Sequence, residues 1–281
     1  MNAAPSHWSI SGDELDIAAG VLVGVLNVTP DSFSDGGEFI DPEVAIDHGL
    51  EMMEMGAAIV DVGGESTRPG ARPVAEDEEL SRVMPVVEGL VARGVRVSID
   101  TYKPAVARLA LEGGAVIVND VTGFENEAMI ELVKTSECGV VTLHLQGGPP
   151  DMHIDPRYDD VVGEVEAYLL ESIDRLEQAG VDRARIAIDP GIGFGKRARH
   201  SLALLANLDR LTRHGLPVMV GTSRKGFLGK VTGDETRQGR DRATAVTTAL
   251  AYAHGVRLFR VHDVASSRDA LAVAAAIVTN Q

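Results

Sequence analysis

Polar side chains able to bind or react recur in this sequence at one kind of place, the last residues of a short apolar run. In order they are Asn27, Asp61, Asp100, Asn119 with Asp120, His144 with Gln146, Asp189, Ser223-Arg224-Lys225, and Arg260 with His262. Asp100, Asn119 and Asp189 offer acceptors and one amide donor pair, and Lys225 adds an ammonium donor. That set suits the hydrogen-bonding edge of a flat heterocycle carrying amino and oxo groups. Arg260 and His262 are two apart, so on a strand both project from the same face. Beside the start of a following helix they form a basic pocket suited to phosphate. A lone aspartate at a strand end serves equally well as a cap; eight polar ends in series point to a shared mouth.

The elements that position these residues alternate. The apolar runs Val21–Thr29, Ala58–Gly63, Arg96–Thr101, Val116–Val121, Val140–Gln146, Ile186–Asp189, Pro217–Ser223 and Leu258–Val264 read as buried parallel strands. Amphipathic helical patterns separate them; the clearest sets Val162, Val165, Leu169, Ile173 and Leu176 on one face. Glycines 56, 94, 114, 139, 180, 215 and 255 each stand shortly before a strand, where a left-handed residue closes a helix. Asp41-Pro42 marks the start of the first helix and Ser266-x-x-Asp269 that of the last. Eight βα units with tight turns at one end and long loops at the other describe an α/β fold, a (β/α)8 TIM barrel. A single domain over residues 1–281 is expected, with the barrel proper at about 21–277. Residues 1–20, with Trp8, Ile10, Leu15 and Ile17, are expected to form a hairpin at the barrel floor. A doubly wound open sheet is the competitor, but the first strand runs into NVTPDSFSDGG rather than a glycine fingerprint.

The formal net charge of −16 argues against nucleic-acid or anionic-membrane partners, so an anionic ligand needs a local basic pocket. One cysteine, Cys138, precludes a disulfide framework and favours a reducing, cytoplasmic setting. No apolar run approaches the ~18 residues of a membrane span. The run Asp189–Lys196, DPGIGFGK, is neither a dinucleotide fingerprint nor a P-loop, and reads as a glycine turn bringing backbone and Phe194 close to a ligand. His144 is expected to support the site, whereas His200, His214 and His254 read as surface. Phe33, Phe124, Phe194 and Phe227 fall in or beside the βα loops and offer stacking surfaces. No nucleophile elbow surrounds Ser223; a Schiff base at Lys225 is the aldolase alternative.

Taken together, VGVLNVTPDSFSDGG (23–37), DVGGESTRPGA (61–71), SIDTYKP (98–104), VNDV (118–121), HLQGGP (144–149), DPGIGFGK (189–196), GTSRKGFLG (221–229) and RVHDV (260–264) resemble the ordered motifs of the dihydropteroate synthases. The resemblance implies condensation of 6-hydroxymethyl-7,8-dihydropterin pyrophosphate with para-aminobenzoate, releasing pyrophosphate. It implies a pterin pocket of Asp100, Asn119, Asp189 and Lys225, lined by Phe194 and Leu143. It also implies a pyrophosphate site at Asn27, Arg260 and His262, with Mg²⁺ at Asn27. Two loops follow: Asp31, Phe33, Ser34 and Asp35 in the first, Thr67 and Arg68 in the second, with Pro69 and Ser223 beside para-aminobenzoate. Asp35 is the residue expected to steady a developing cation, with Lys225, Arg260 and His262 as its catalytic companions. Sulfonamide sensitivity and a homodimer are implied as well. The leucines at 143 and 145, where methionine is common, depart from the pattern. A non-catalytic pterin-binding paralogue and a pterin-dependent methyltransferase domain remain the alternatives.

Overall fold

A computed structural model describes residues 5–29, 41–66, 72–148, 152 and 154–280. Two short strands, β1 (His7–Ile10) and β2 (Asp13–Asp16), pair antiparallel around Ser11 and Gly12. Both turn residues have positive φ, 49° and 78°, as a tight two-residue hairpin demands. The chain then alternates: β3 (Val21–Asn27), α1 (Pro42–Glu54), β4 (Ile59–Gly63), α2 (Glu76–Ala92), β5 (Val97–Asp100), α3 (Pro104–Glu112), β6 (Ile117–Asp120), α4 (Glu127–Thr135), β7 (Gly139–Leu143) and α5 (Val161–Ala179). It continues through β8 (Ile186–Asp189), α6 (Ala198–Ala206), α7 (Leu208–Thr212), β9 (Met219–Val220), α8 (Gly226–Thr232), α9 (Arg237–Ala253), β10 (Leu258–Val261) and α10 (Val264–Thr279).

Among the described residues, β3 to β10 form one eight-stranded parallel sheet, ordered β8-β7-β6-β5-β4-β3-β10-β9. A parallel bridge between Ile188 and Val218 brings its two ends together, and the Ile188 amide donates to the Pro217 carbonyl at 2.9 Å. The architecture is the TIM barrel expected. Side chains alternate along each strand. One parity, including Leu22, Val60, Ile99, Val118, Val140 and Phe259, packs outward against the helices. The other turns inward and stacks in layers.

The lowest inward layer is apolar: Val23, Ile59, Ile117, Val141, Ala187, Met219 and Leu258. Trp8, Ile10 and Ile17 of the hairpin segment complete it from below. Trp8 is 1% exposed and its indole N–H donates to the Arg185 carbonyl at 2.8 Å. The hairpin is therefore the barrel's floor, as expected. Two residues further along, the same parity presents Asn119, Leu143, Asp189 and Arg260 to the mouth.

Most helix ends follow the sequence. Gly56, Gly94, Gly114, Gly180, Gly215 and Gly255 have φ between 75° and 113°. Gly139 differs: α4 ends at Thr135 with Ser136 as its cap, and Gly139 is already in β7, where a Cβ would lie 2.5 Å from Ile10. It is glycine because the floor presses against it. Asp41 caps α1 by accepting from the Glu43 amide at 3.0 Å. The last helix starts earlier than expected, because Asp263 caps it, accepting from the Ser266 amide at 3.1 Å. β9 is much shorter than the run Pro217–Ser223, because the chain leaves the sheet to form a turn in which the Lys225 amide donates to the Thr222 carbonyl at 3.1 Å.

Candidate active site

The strand ends open into a cleft of about 1180 Å³ whose wall includes Asn27, Asp100, Phe194, Ser223, Lys225, Arg260 and His262. At its base is a narrower pocket formed by Asp100, Asn119, Val121, Leu143, Asp189, Ile192, Phe194, Gly221, Lys225 and Arg260. The residues assigned from the sequence to a pterin pocket thus converge. Asp35, Phe33, Asp31, Ser34, Thr67, Arg68 and Pro69 lie outside the described residues.

Each side chain has a local reason for its position. Inward parity in β5, β6 and β8 delivers Asp100, Asn119 and Asp189. Asp120 has the opposite parity and turns away, accepting from the Thr122 amide at 2.8 Å and the Phe124 amide at 3.2 Å. Lys225 is set by the turn before α8, where Arg224 adopts a left-handed φ of 58°. Such a conformation is unfavourable for a side-chain-bearing residue. Two bonds from the Arg224 guanidinium to Asp241, at 2.7 and 3.2 Å, hold it there, on the wall of the cleft. Lys225 Nζ lies 3.8 Å from the centre of the Phe194 ring.

Arg260 is the hub of the pocket's charge. Its Nε donates to Asp61 Oδ2 at 2.6 Å and its Nη2 to Asp100 Oδ2 at 2.6 Å. Asn119 Nδ2 donates to the same Asp61 oxygen at 3.1 Å. Asp61, 1% exposed, had appeared in the sequence only as one polar strand end. Its position two residues from floor residue Ile59 was the available signal. Beyond the pocket, Ser223 Oγ accepts from the His262 amide at 3.0 Å and lies 2.8 Å from His262 Nδ1. This clip ties the end of β10 to the turn that carries Lys225.

Burial shapes the ionisation. It pushes Asp100 up to about 7, aided by the charges of Asp61 and Glu79 and opposed by Arg260. Asp189 rises to about 6 for the same first reason, although the Gly191 amide donates to it at 2.7 Å. Lys225 falls to about 8, from burial and from the repulsion of Arg260. Burial also works against the charge on Arg260, but Asp61 and Asp100 outweigh it and hold the guanidinium charged.

Two assignments made from the sequence need correction. Phe124 is fully buried in the outer core and supplies no stacking surface at the mouth. Phe194 and Phe227 do line the cleft. His200 is buried rather than on the surface: it accepts from the Arg197 amide at 3.2 Å and meets the edge of Tyr158 at 4.9 Å. His144, as expected, is buried behind the pocket.

The chain matches the model of the family described as pterin binding enzyme over residues 23–262. A dihydropteroate synthase of Mycobacterium leprae is 48% identical over 269 residues, covering 93% of this chain and 95% of that protein. The Xanthomonas albilineans dihydropteroate synthase, solved with 4-aminobenzoic acid, superposes with a TM-score of 0.91 at 44% identity, covering 98% of both chains. The Yersinia pestis dihydropteroate synthase, solved in complex with a sulfonamide drug, gives 0.91 at 38% identity, covering 97% of this chain and 99% of the other. By sequence, fold and the set of residues at its mouth, the chain belongs to the pterin-binding enzymes, among the dihydropteroate synthases.

Proposed function

We infer that this chain joins 6-hydroxymethyl-7,8-dihydropterin pyrophosphate to para-aminobenzoate, giving 7,8-dihydropteroate and pyrophosphate. The observation that carries the reading is the convergence of Asp100, Asn119, Asp189 and Lys225 on one pocket lined by Phe194 and Leu143, with Arg260 at its edge. The two carboxylates accept from the pterin's amino and ring N–H groups, Asn119 both donates and accepts, and Lys225 donates to the oxo group.

In the reaction the electron-rich pterin lets positive charge build on its methylene carbon as pyrophosphate departs, and the arylamine lone pair attacks that carbon. The bond from that carbon to the pyrophosphate oxygen breaks, and the new C–N bond's extra proton leaves to solvent. An arylamine is largely unprotonated at neutral pH, so no strong base is needed. The difficult part is the departing charge. Arg260, His262 and the N-terminus of α10 stabilise it, and losing one such contact commonly costs ~10²–10³ in rate. Asn27, with Thr67 and Arg68, belongs to the same pyrophosphate site. Mg²⁺ fits there: it commonly takes one or two protein oxygens together with substrate phosphates and water, and the Asn27 amide is such a ligand. When bound, it supplies further neutralisation of the leaving group. Asp35 steadies the cationic carbon, and Phe33, Pro69 and Ser223 surround para-aminobenzoate, the position that sulfonamides would contest.

A homodimer belongs to the same proposal. Val246 and Leu250 on α9, and Val273 and Ile277 on α10, are 58–60% exposed on two helices that pack together. An apolar patch of this kind on an outer face suits a second copy. Leu250→Glu should then yield a monomer in sedimentation. A cytoplasmic setting accords with the free, buried Cys138; among the described residues no helix is long and apolar enough to cross a membrane.

The test is to mix purified protein, Mg²⁺ and both substrates, and to follow pyrophosphate and dihydropteroate together. Equimolar formation of both, abolished in Lys225→Ala, supports the synthase. Pterin binding without turnover would instead indicate a non-catalytic pterin-binding protein.

A further inference from the structure

The glycine turn after β8 contains a lysine that neither substrate accounts for. Lys196 is 9% exposed, and among the described residues no carboxylate is bonded to it. Its Nζ lies 2.8 Å from His144 Nδ1, 3.2 Å from the His144 carbonyl and 3.0 Å from the Phe194 carbonyl. One nitrogen therefore joins the backbone just beyond β7 to the backbone carrying Phe194. An ammonium satisfies this tripod by donating three hydrogen bonds. A neutral amine satisfies it equally, by donating to both carbonyls and accepting from an Nδ1–H.

The two segments that it joins press closely together. A Cβ at Gly191 would lie 1.9 Å from the His144 carbonyl oxygen, and one at Gly195 would lie 2.5 Å from that of Gln146. Gly191, Gly193 and Gly195 all have positive φ, between 56° and 81°. A turn so rich in glycine has little stiffness of its own. What it carries needs stiffness: Phe194 is one wall of the inner pocket and sits 3.8 Å below the Lys225 ammonium. Leu143, immediately before His144, is another wall.

We propose that Lys196 is a positioning residue for the pterin, clipping the Phe194 turn to His144 so that two walls of the pocket keep a fixed separation. It touches neither the pterin's hydrogen-bonding edge nor the reacting atoms, and acts through Phe194 and His144. The inference rests on the synthase reading, and its ligand is the flat heterocycle.

Lys196→Met keeps the length of the side chain and removes the donors. It leaves two buried carbonyls without a partner, a loss large enough to let the turn move. The expected result is a Kd for 6-hydroxymethyl-7,8-dihydropterin, measured by calorimetry, weakened about tenfold or more. The KM for the pterin pyrophosphate should rise in parallel, and the KM for para-aminobenzoate should stay within about twofold. In a Phe194→Leu background the same substitution should add threefold or less, because its effect passes through that ring. His144→Leu removes one leg of the tripod and should weaken pterin binding by less than Lys196→Met; it also serves if Lys196→Met does not fold. Pterin affinity unchanged in a folded variant would overturn the proposal, as would equal rises in both KM values or full additivity with Phe194→Leu. Failure of the unaltered protein to bind pterin or turn over would instead refute the synthase reading.

Discussion

Asp61 offers a sharp test of how the pocket's charges are arranged, because it reaches no substrate edge yet holds two groups that do. Its Oδ2 accepts from Arg260 Nε at 2.6 Å and from Asn119 Nδ2 at 3.1 Å. Asp61→Asn keeps the shape and removes the charge. A hydrogen bond to a charged group contributes ~1.5–3 kcal/mol. Losing the one to Arg260 should lower kcat/KM for the pterin pyrophosphate by about 10- to 150-fold, at ~1.4 kcal/mol per decade. A second signature follows from charge. The Asp61 carboxylate helps to hold Asp100 up at about 7. Neutralising it, and leaving Arg260 to Asp100 alone, should move the acid limb of the pH–rate profile to lower pH. The assay is steady-state pyrophosphate release across a pH series, with the thermal midpoint measured on the same sample. A kcat/KM within threefold of the unaltered protein, with an unmoved acid limb, would refute the reasoning. A loss that merely tracks the unfolded fraction would reduce Asp61 to scaffolding.

Pterin use should show a bell-shaped pH dependence. Asp189 near 6 and Asp100 near 7 must be ionised to accept, and Lys225 near 8 must be protonated to donate, so kcat/KM should peak between the two limbs. Lys225→Arg should remove the alkaline limb, and an unchanged limb would count against Lys225. Stability should move the opposite way at the acid end. The folded values of Asp100 and Asp189 are raised, so their contribution is complete below about pH 4 and is lost as pH rises through 6 to 7. Asp189→Asn should flatten that slope in denaturant midpoints measured over the same range. Trp8→Ala should cost about 3–5 kcal/mol by emptying the floor. It should leave both KM values within about twofold; altered pterin binding would mean that floor and mouth are not mechanically separate.

The barrel was legible from the sequence because parallel strands covered on both sides carry long apolar runs, and because tight αβ turns need glycine. Asp100, Asn119 and Asp189 were legible for a related reason, that strand parity decides which residue faces the mouth; Lys225 was legible as a cation just past a strand, although a turn places it. What stayed hidden depends on contacts between distant segments. Arg224 reads as one more cation until Asp241, on α9, takes it into an ion pair. Lys196 reads as the end of a glycine turn until His144, on the neighbouring strand's loop, receives it. Phe124 follows a strand as Phe194 does, yet Asp120 ties its amide back and the ring enters the outer core. The Asp263 cap was masked by Ser266, an equally plausible capping residue three positions later.

The hairpin under the barrel also orders events in time. Trp8 and Ile10 are synthesised about 200 residues before Met219 and Leu258, which belong to the layer they complete. Trp8 is anchored by the carbonyl of Arg185, 177 residues along the chain. Until the last barrel strand has been synthesised, this apolar hairpin has no finished surface to cover. While the strands in between are being made it is an exposed sticky segment, open to capture by chaperones or by another nascent chain.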